Sequence, residues 1–213
     1  IAHANVFFFN FLSRGNLQAA NTSLIVRDID LSPNTEWKTP FNAAGFEFKL
    51  EDVTFPLPDQ VHMLTANRVF ISSLDKLIDI KDFKLFSDRT KASQSYYTVQ
   101  LEKLLMGNVD LNRAFMTSEL KLDELILNDP QFHVLTNPGV KSDLQSTGDL
   151  NDFIRGQLKS VSIKELAINR GKFIRALFQD TLKNRIELDG LNFKMIDFYL
   201  GDDLEKRENQ FFY

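Results

Sequence analysis

The sequence predicts a mainly β protein: a long, curved and twisted antiparallel sheet of repeated, bulged strands that forms an open trough or groove, with one or two short helices. Three observations predict it. A single apolar pattern recurs along most of the chain, and the two-residue break inside each copy mostly lacks Gly and Pro, so the strand bends there instead of ending. In addition, 20 of the 213 residues are Phe against 1 Trp and 4 Tyr, a bias toward large side chains with no polar atom to satisfy, which suits a wide greasy surface better than a polar pocket.

With h for an apolar residue and x for any other, the pattern is hxhxxhxh. It appears at Leu24, Val26, Ile29 and Leu31, then at Phe48, Leu50, Val53 and Phe55, and at Ile78, Ile80, Phe83 and Leu85. It returns at Val99, Leu101, Leu104 and Met106, and at Leu120, Leu122, Leu125 and Leu127. Further copies stand at Val161, Ile163, Leu166 and Ile168, and at Ile186, Leu188, Leu191 and Phe193, the last running on through Met195, Phe198 and Leu200. Alternation places h on one face of a strand, and the double x would flip that face. A β-bulge absorbs the extra residue, keeps both halves on the same face and bends the strand.

A longer repeat overlies this one. Gly45, Phe46, Phe48, Lys49, Leu50, Asp52, Val53 and Phe55 align with Gly190, Leu191, Phe193, Lys194, Met195, Asp197, Phe198 and Leu200, 145 positions further on. Residues 1–213 therefore read as a single repetitive β segment of a larger protein, with units of about 1–145 and 146–213, the second incomplete. The opening at Ile1 without a Met and the closing Phe211-Phe212-Tyr213 fit a piece cut from a longer chain.

Between strands stand ordinary turn residues: Ser32-Pro33-Asn34, Pro56-Leu57-Pro58-Asp59, Ser87-Asp88-Arg89 and Asn137-Pro138-Gly139. The stretch from Ala4 to Leu12 fits either helix or strand. From Ser146 to Leu158 the spacing of Leu150, Phe153, Ile154 and Leu158, behind the caps Ser146, Thr147 and Asp149, predicts a helix. A shorter helical turn runs from Asp110 through Phe115 and Met116. Trp37, among Pro33, Asn34, Thr35 and Pro40, reads as a loop residue, a candidate contact anchor for which packing over the sheet edge is the stronger expectation.

The chemistry of an enzyme is not visible. Net charge is -4, with 25 Lys and Arg scattered among 29 Asp and Glu, so no basic face points to nucleic acid. There is no Cys, which removes disulfides and thiolate chemistry. His3, His62 and His133 are isolated, without metal-ligand spacing. Asp28, Asp30, Asp79, Asp82, Asp123, Glu124, Glu165, Glu187 and Asp189 fall on x positions and read as a solvated face and as edge protection. Asp197 with Asp202 and Asp203 is too thin a cluster for a cation site. The reading is no enzyme, no cofactor and no metal. The longest apolar run, Val6 to Leu12, is far below the roughly 20 residues needed to span a bilayer.

The segment from Leu120 to Val134, with Asp123, Asn128, Asp129 and Pro130 at its breaks and Asp110-Leu111-Asn112 ahead of it, resembles the repeat of AsmA-like proteins of Gram-negative bacteria. In those proteins a short Asp-Leu turn leads into a strand ending at Asn-x-Pro. A second echo, from Leu150-Asn151-Asp152-Phe153-Ile154 through Val161 to Ile168 and on to Gly171-Lys172-Phe173, is similar to the long forms found in Bacteroidetes. The likeness spans most of residues 18 to 200 and rests mainly on spaced Leu and Phe.

The resemblance implies a periplasmic, membrane-anchored protein of the cell envelope, tethered to the inner membrane through parts of the protein outside this sequence. Its role would lie in lipid transport or outer-membrane assembly, with lipid acyl chains and other envelope proteins as partners. The wider superfamily, including TamB-like bridges, curls such a sheet into a trough along which acyl chains slide. The lipid-groove candidates are then Phe48, Leu50, Phe83, Leu85, Leu101, Leu122, Leu125, Ile163, Leu166, Leu188 and Phe193. The alternative is a structural or protein-binding β scaffold whose h face is wholly buried.

Overall fold

A computed structural model describes residues 6–10, 15–29, 43–57, 61–87, 95–136, 158–177 and 180–201, and these described residues form one curved β-sheet of ten strands with a single short helix. In chain order the strands are β1 (Val6–Asn10), β2 (Gly15–Ile29), β3 (Ala43–Pro56), β4 (His62–Ser72), β5 (Leu77–Ser87), β6 (Ser95–Gly107), β7 (Glu119–Asn128), β8 (Gln131–Thr136), β9 (Ser160–Leu177) and β10 (Asp180–Gly201). The helix α1 (Leu111–Thr117) lies between β6 and β7. Strands follow one another across the sheet from β1 to β7, then β9 and β10, while β8 fills the gap between β6 and β9 beyond the end of β7.

The opening stretch resolves to strand at Val6–Asn10. The helical turn expected after Asp110 is α1, whose first turn is capped by the Asp110 carboxylate accepting from the Arg113 amide at 2.9 Å. The helix expected from Ser146 and the loop around Trp37 lie outside the described residues.

One expectation is corrected. The sheet is mixed, not purely antiparallel, because β9 runs parallel to both β7 and β8. Parallel neighbours need a connection of a dozen or more residues, and residues 137–159 between β8 and β9 are long enough to supply it. The parallel register is a repeat in space. Leu120, Leu122, Leu125, Leu127 and Phe132 stand beside Val161, Ile163, Leu166, Ile168 and Phe173, each displaced by 41 positions.

At several breaks the double x carries a definite backbone device, while the breaks at 102–103, 123–124 and 164–165 have none. Asn21, Asp28, Asp52, Asp82, Asp129, Arg170 and Asp197 have φ between 50° and 56°, and Gly190 has φ 66°. All but two stand just before an apolar side chain that reopens the pattern; Asn21 precedes the buried Thr22 and Arg170 precedes Gly171. A left-handed residue at that point turns the chain so that both halves keep h on one face. Six of these positions are Asp or Asn, whose short side chains lower the cost of that conformation, and another is Gly.

Where a bulge would place two residues against one, β3 to β6 pass through the break in constant register. Glu51 faces Arg68 and Val53 faces Ala66, leaving Asp52 level with Asn67. By the same count Asn67 is level with Asp82, and Asp82 with Glu102. The left-handed residues of β3 and β5 lie at one height, with Asn67 of β4 between them and Glu102 of β6 beyond them in ordinary backbone, and this line is the crease of the sheet. The crease goes on through Asp129 and Arg170, and true register shifts occur only where β2 meets β3 and where β10 meets β9.

Candidate functional site: the apolar face of the sheet

The crease explains how h residues converge. On one side of it a row runs across seven strands through Leu50, Val69, Ile80, Leu104, Leu127, Ile168 and Phe193, each paired with the next. Beside it a second row joins Leu24, Phe48, Ile71, Ile78, Met106, Leu125, Leu166 and Met195. Beyond the crease a third row joins Phe55, Leu64, Leu85, Val99, Phe132, Phe173 and Leu188. Strands lie about 4.8 Å apart, so a seven-strand row makes an uninterrupted apolar line of about 30 Å.

Two clusters anchor this face. Ala19, Leu50, Val53 and Ala66 are buried together with Leu17, Phe48, Val69 and Ile80 packed against them. Val109, Leu122 and Ile163 form the other, ringed by Ile78, Met106, Leu120, Leu125, Val161, Leu166 and Phe198. Leu50 with Val53, Leu122 with Leu125 and Ile163 with Leu166, each pair from the two sides of one break, share a cluster, as one-sided presentation of h requires.

Candidate groove residues fall into three groups. Leu50, Leu85, Leu101, Leu122 and Ile163 are buried against their neighbours. Phe48, Phe83, Leu125 and Leu166 are half-buried, and an incoming apolar chain meets these first. Leu188 and Phe193, both on β10, are each 47% exposed, and Ile186 beside them is 54% exposed. At the other end of the sheet Leu24 and Ile29 of β2 are exposed as well.

The opposite face carries charge in diagonal cross-strand pairs: Arg27 with Glu47 at 3.3 Å, Lys172 with Glu187 at 2.7 Å and Lys194 with Glu165 at 2.7 Å. Its acidic residues differ in two ways from a plain solvated face. Asp28 and Asp82 hold left-handed kinks. Asp79 is buried and bridges Arg68 at 3.1 Å and Lys103 at 3.9 Å. The sequence signal for the kink role was the Asp or Asn just before the reopening apolar residue.

Other polar features lead elsewhere. His62 is buried at the start of β4, stacked on the Tyr97 ring with centroids 4.3 Å apart. A cleft of about 480 Å³ beside α1 is lined by Ser73, Lys76, Asn108, Asp110, Lys121 and Asp123 among others, a polar lining unlike the apolar rows. Among the described residues no group of three or more His, Asp or Glu is placed to hold a metal ion, and no helix is long and apolar enough to cross a membrane. Asp197 serves as a kink residue, while Asp202 and Asp203 lie outside the described residues. No family model, curated protein or solved structure matches this chain.

Proposed function

We propose that this chain is a non-catalytic segment of an AsmA-like envelope protein that takes part in lipid transport or outer-membrane assembly by holding acyl chains along its apolar face. The carrying observation is the set of rows that stay apolar across seven or eight successive strands, while the opposite face carries cross-strand ion pairs around a shorter apolar stretch of Phe70, Leu105, Ile126 and Ala167. An acyl chain lying along a row crosses strand after strand without meeting a polar group. Burial of one CH₂ contributes about 0.8 kcal/mol, so ten carbons contribute on the order of several kcal/mol with no head-group recognition. Selectivity for the head group is weak in this reading, and the periplasmic side of an inner membrane is the matching location.

A second reading has its own support. Leu50, Leu85, Leu101, Leu122 and Ile163 are already buried without any ligand, which is what a scaffold domain needs. The two readings part in a displacement experiment. An environment-sensitive fluorescent fatty acid is titrated into the purified protein and competed with oleate and with a phosphatidylglycerol micelle. The groove reading expects saturable fluorescence that oleate reverses; a flat titration contradicts it and leaves the scaffold.

A further inference from the structure

The last strand carries a symmetry that the others put in context. From Ile186 to Leu200 the positions of the recurring pattern in β10 are 186, 188, 191, 193, 195, 198 and 200, an order that reads the same from either end about Phe193, while Ile196 falls in a break between them. The two left-handed residues, Gly190 and Asp197, fall in the two breaks on either side of that centre. One edge of β10 pairs with β9, and among the described residues no strand pairs with the other. Ile186, Leu188, Leu191 and Phe193 are all exposed. From Leu188 to Phe198 a long strand edge that meets no other described strand, with exposed apolar side chains beside it, is a template for another strand.

The sheet already shows what fits that edge. β10 repeats β2 169 positions on, with Leu24 corresponding to Phe193 and the left-handed Asn21 and Asp28 corresponding to Gly190 and Asp197. It also repeats β3 145 positions on, with Phe48 corresponding to Phe193 and the left-handed Asp52 to Asp197. β2 and β3 are antiparallel neighbours, and Leu24 stands opposite Phe48. Both members of that facing pair correspond to Phe193. β2 and β10 run in the same direction through the sheet, and the edge that β2 turns to β3 is the edge that β10 leaves unpaired.

We infer that β10 pairs antiparallel with β10 of a second copy of this chain, about a two-fold axis at Phe193, joining two sheets into one continuous apolar face. A two-fold interface must be self-complementary, and this strand is. Phe193 faces Phe193 of the second copy, Leu191 faces Met195, Leu188 faces Phe198, and break faces break. Asn192 faces Lys194. The register also sets Asp189 opposite Asp197, a repulsion eased by Lys172, whose Nζ lies 3.6 Å from the Asp189 carboxylate. Residues 188–198 span about 35 Å of paired edge. This inference goes beyond the lipid reading and stands whether or not the face binds lipid.

The test uses the whole 213-residue protein, which has no Cys of its own. Phe193→Cys, Leu191→Cys and Met195→Cys are made singly and oxidised under the same conditions, with the unmodified protein run in parallel by analytical ultracentrifugation. Directly opposed residues are much closer than diagonal ones, so Phe193→Cys forms a covalent dimer about tenfold faster than either other variant alone. Leu191→Cys and Met195→Cys mixed together form a heterodimer, and the unmodified protein sediments as a dimer. A monomer throughout the concentration range, or equal crosslinking of the three single variants, overturns the inference. Because these side chains are surface-facing or half-buried, the unmodified protein decides the matter if a variant fails to fold.

Discussion

Asp129, in the link between β7 and β8, stands beside Arg170 of β9, 41 positions further on, with the same left-handed backbone, φ 51° and 56°, and a two-pronged ion pair between them. The pair ties the crease together where β7 gives way to β8 alongside β9. One residue earlier in each segment the Asn169 side-chain Nδ2 donates a hydrogen bond of 2.9 Å to Asn128 Oδ1, repeating the contact. Two segments that bend at one height do so with like residues in like positions.

That pair predicts a pH dependence. The Arg170 guanidinium, hydrogen-bonded to Asp129, holds the Asp129 carboxyl below its ordinary range, while the carboxylate raises Arg170. A carboxyl lowered on folding contributes stability that is present above its unfolded pKa and lost as pH falls through the folded one. Asp129→Asn keeps a residue that tolerates the left-handed backbone. Urea unfolding near pH 7 and again well into the acid range is expected to show a difference between the two proteins that shrinks toward zero as the pH drops.

The kinks predict an inverted tolerance. At Asp52 a Gly is accepted with little or no loss, whereas Asp52→Val forces a β-branched residue into left-handed backbone and costs about 1–2 kcal/mol. The same pair of substitutions at Glu51, which is not left-handed, reverses the order, because there Gly is the weaker strand former. Midpoints of chemical denaturation at both positions check this.

Packing predicts a contrast between the sheet's middle and its edge. Leu122, 2% exposed beside Val109 and Ile163, is expected to lose about 2–5 kcal/mol on Leu122→Ala. Leu188→Ala, on the exposed strand β10, is expected to lose under about 1 kcal/mol. Thermal unfolding of the two variants reads the difference directly.

The strands were legible because alternation with a two-residue break is a local signal, and each break falls inside a strand as expected. The parallel placement of β9 was not, since hxhxxhxh reads the same in both directions and so carries no pairing sense. Two copies escaped the pattern: Leu64, Ala66, Val69 and Ile71 of β4, where a small Ala fills a central slot, and Leu17, Ala19, Thr22 and Leu24 of β2, where a buried Thr does. The crease also escaped, because its alignment depends on neighbours that no single strand encodes. Of the candidate groove, the shared face was legible. Which members close on one another and which, like Leu188 and Phe193, stay exposed depends on strand order, which puts β10 at an edge.

The account rests on acyl chains meeting one face of this sheet and not the other. Photo-crosslinking from single benzophenone residues tests it most directly, with the protein incubated in vesicles of phosphatidylethanolamine and phosphatidylglycerol. Substitutions at Phe48 and Phe83, on the apolar face, are expected to capture lipid, while those at the adjacent Lys49 and Lys84 capture none. Equal capture from both faces, or none from either, would contradict it.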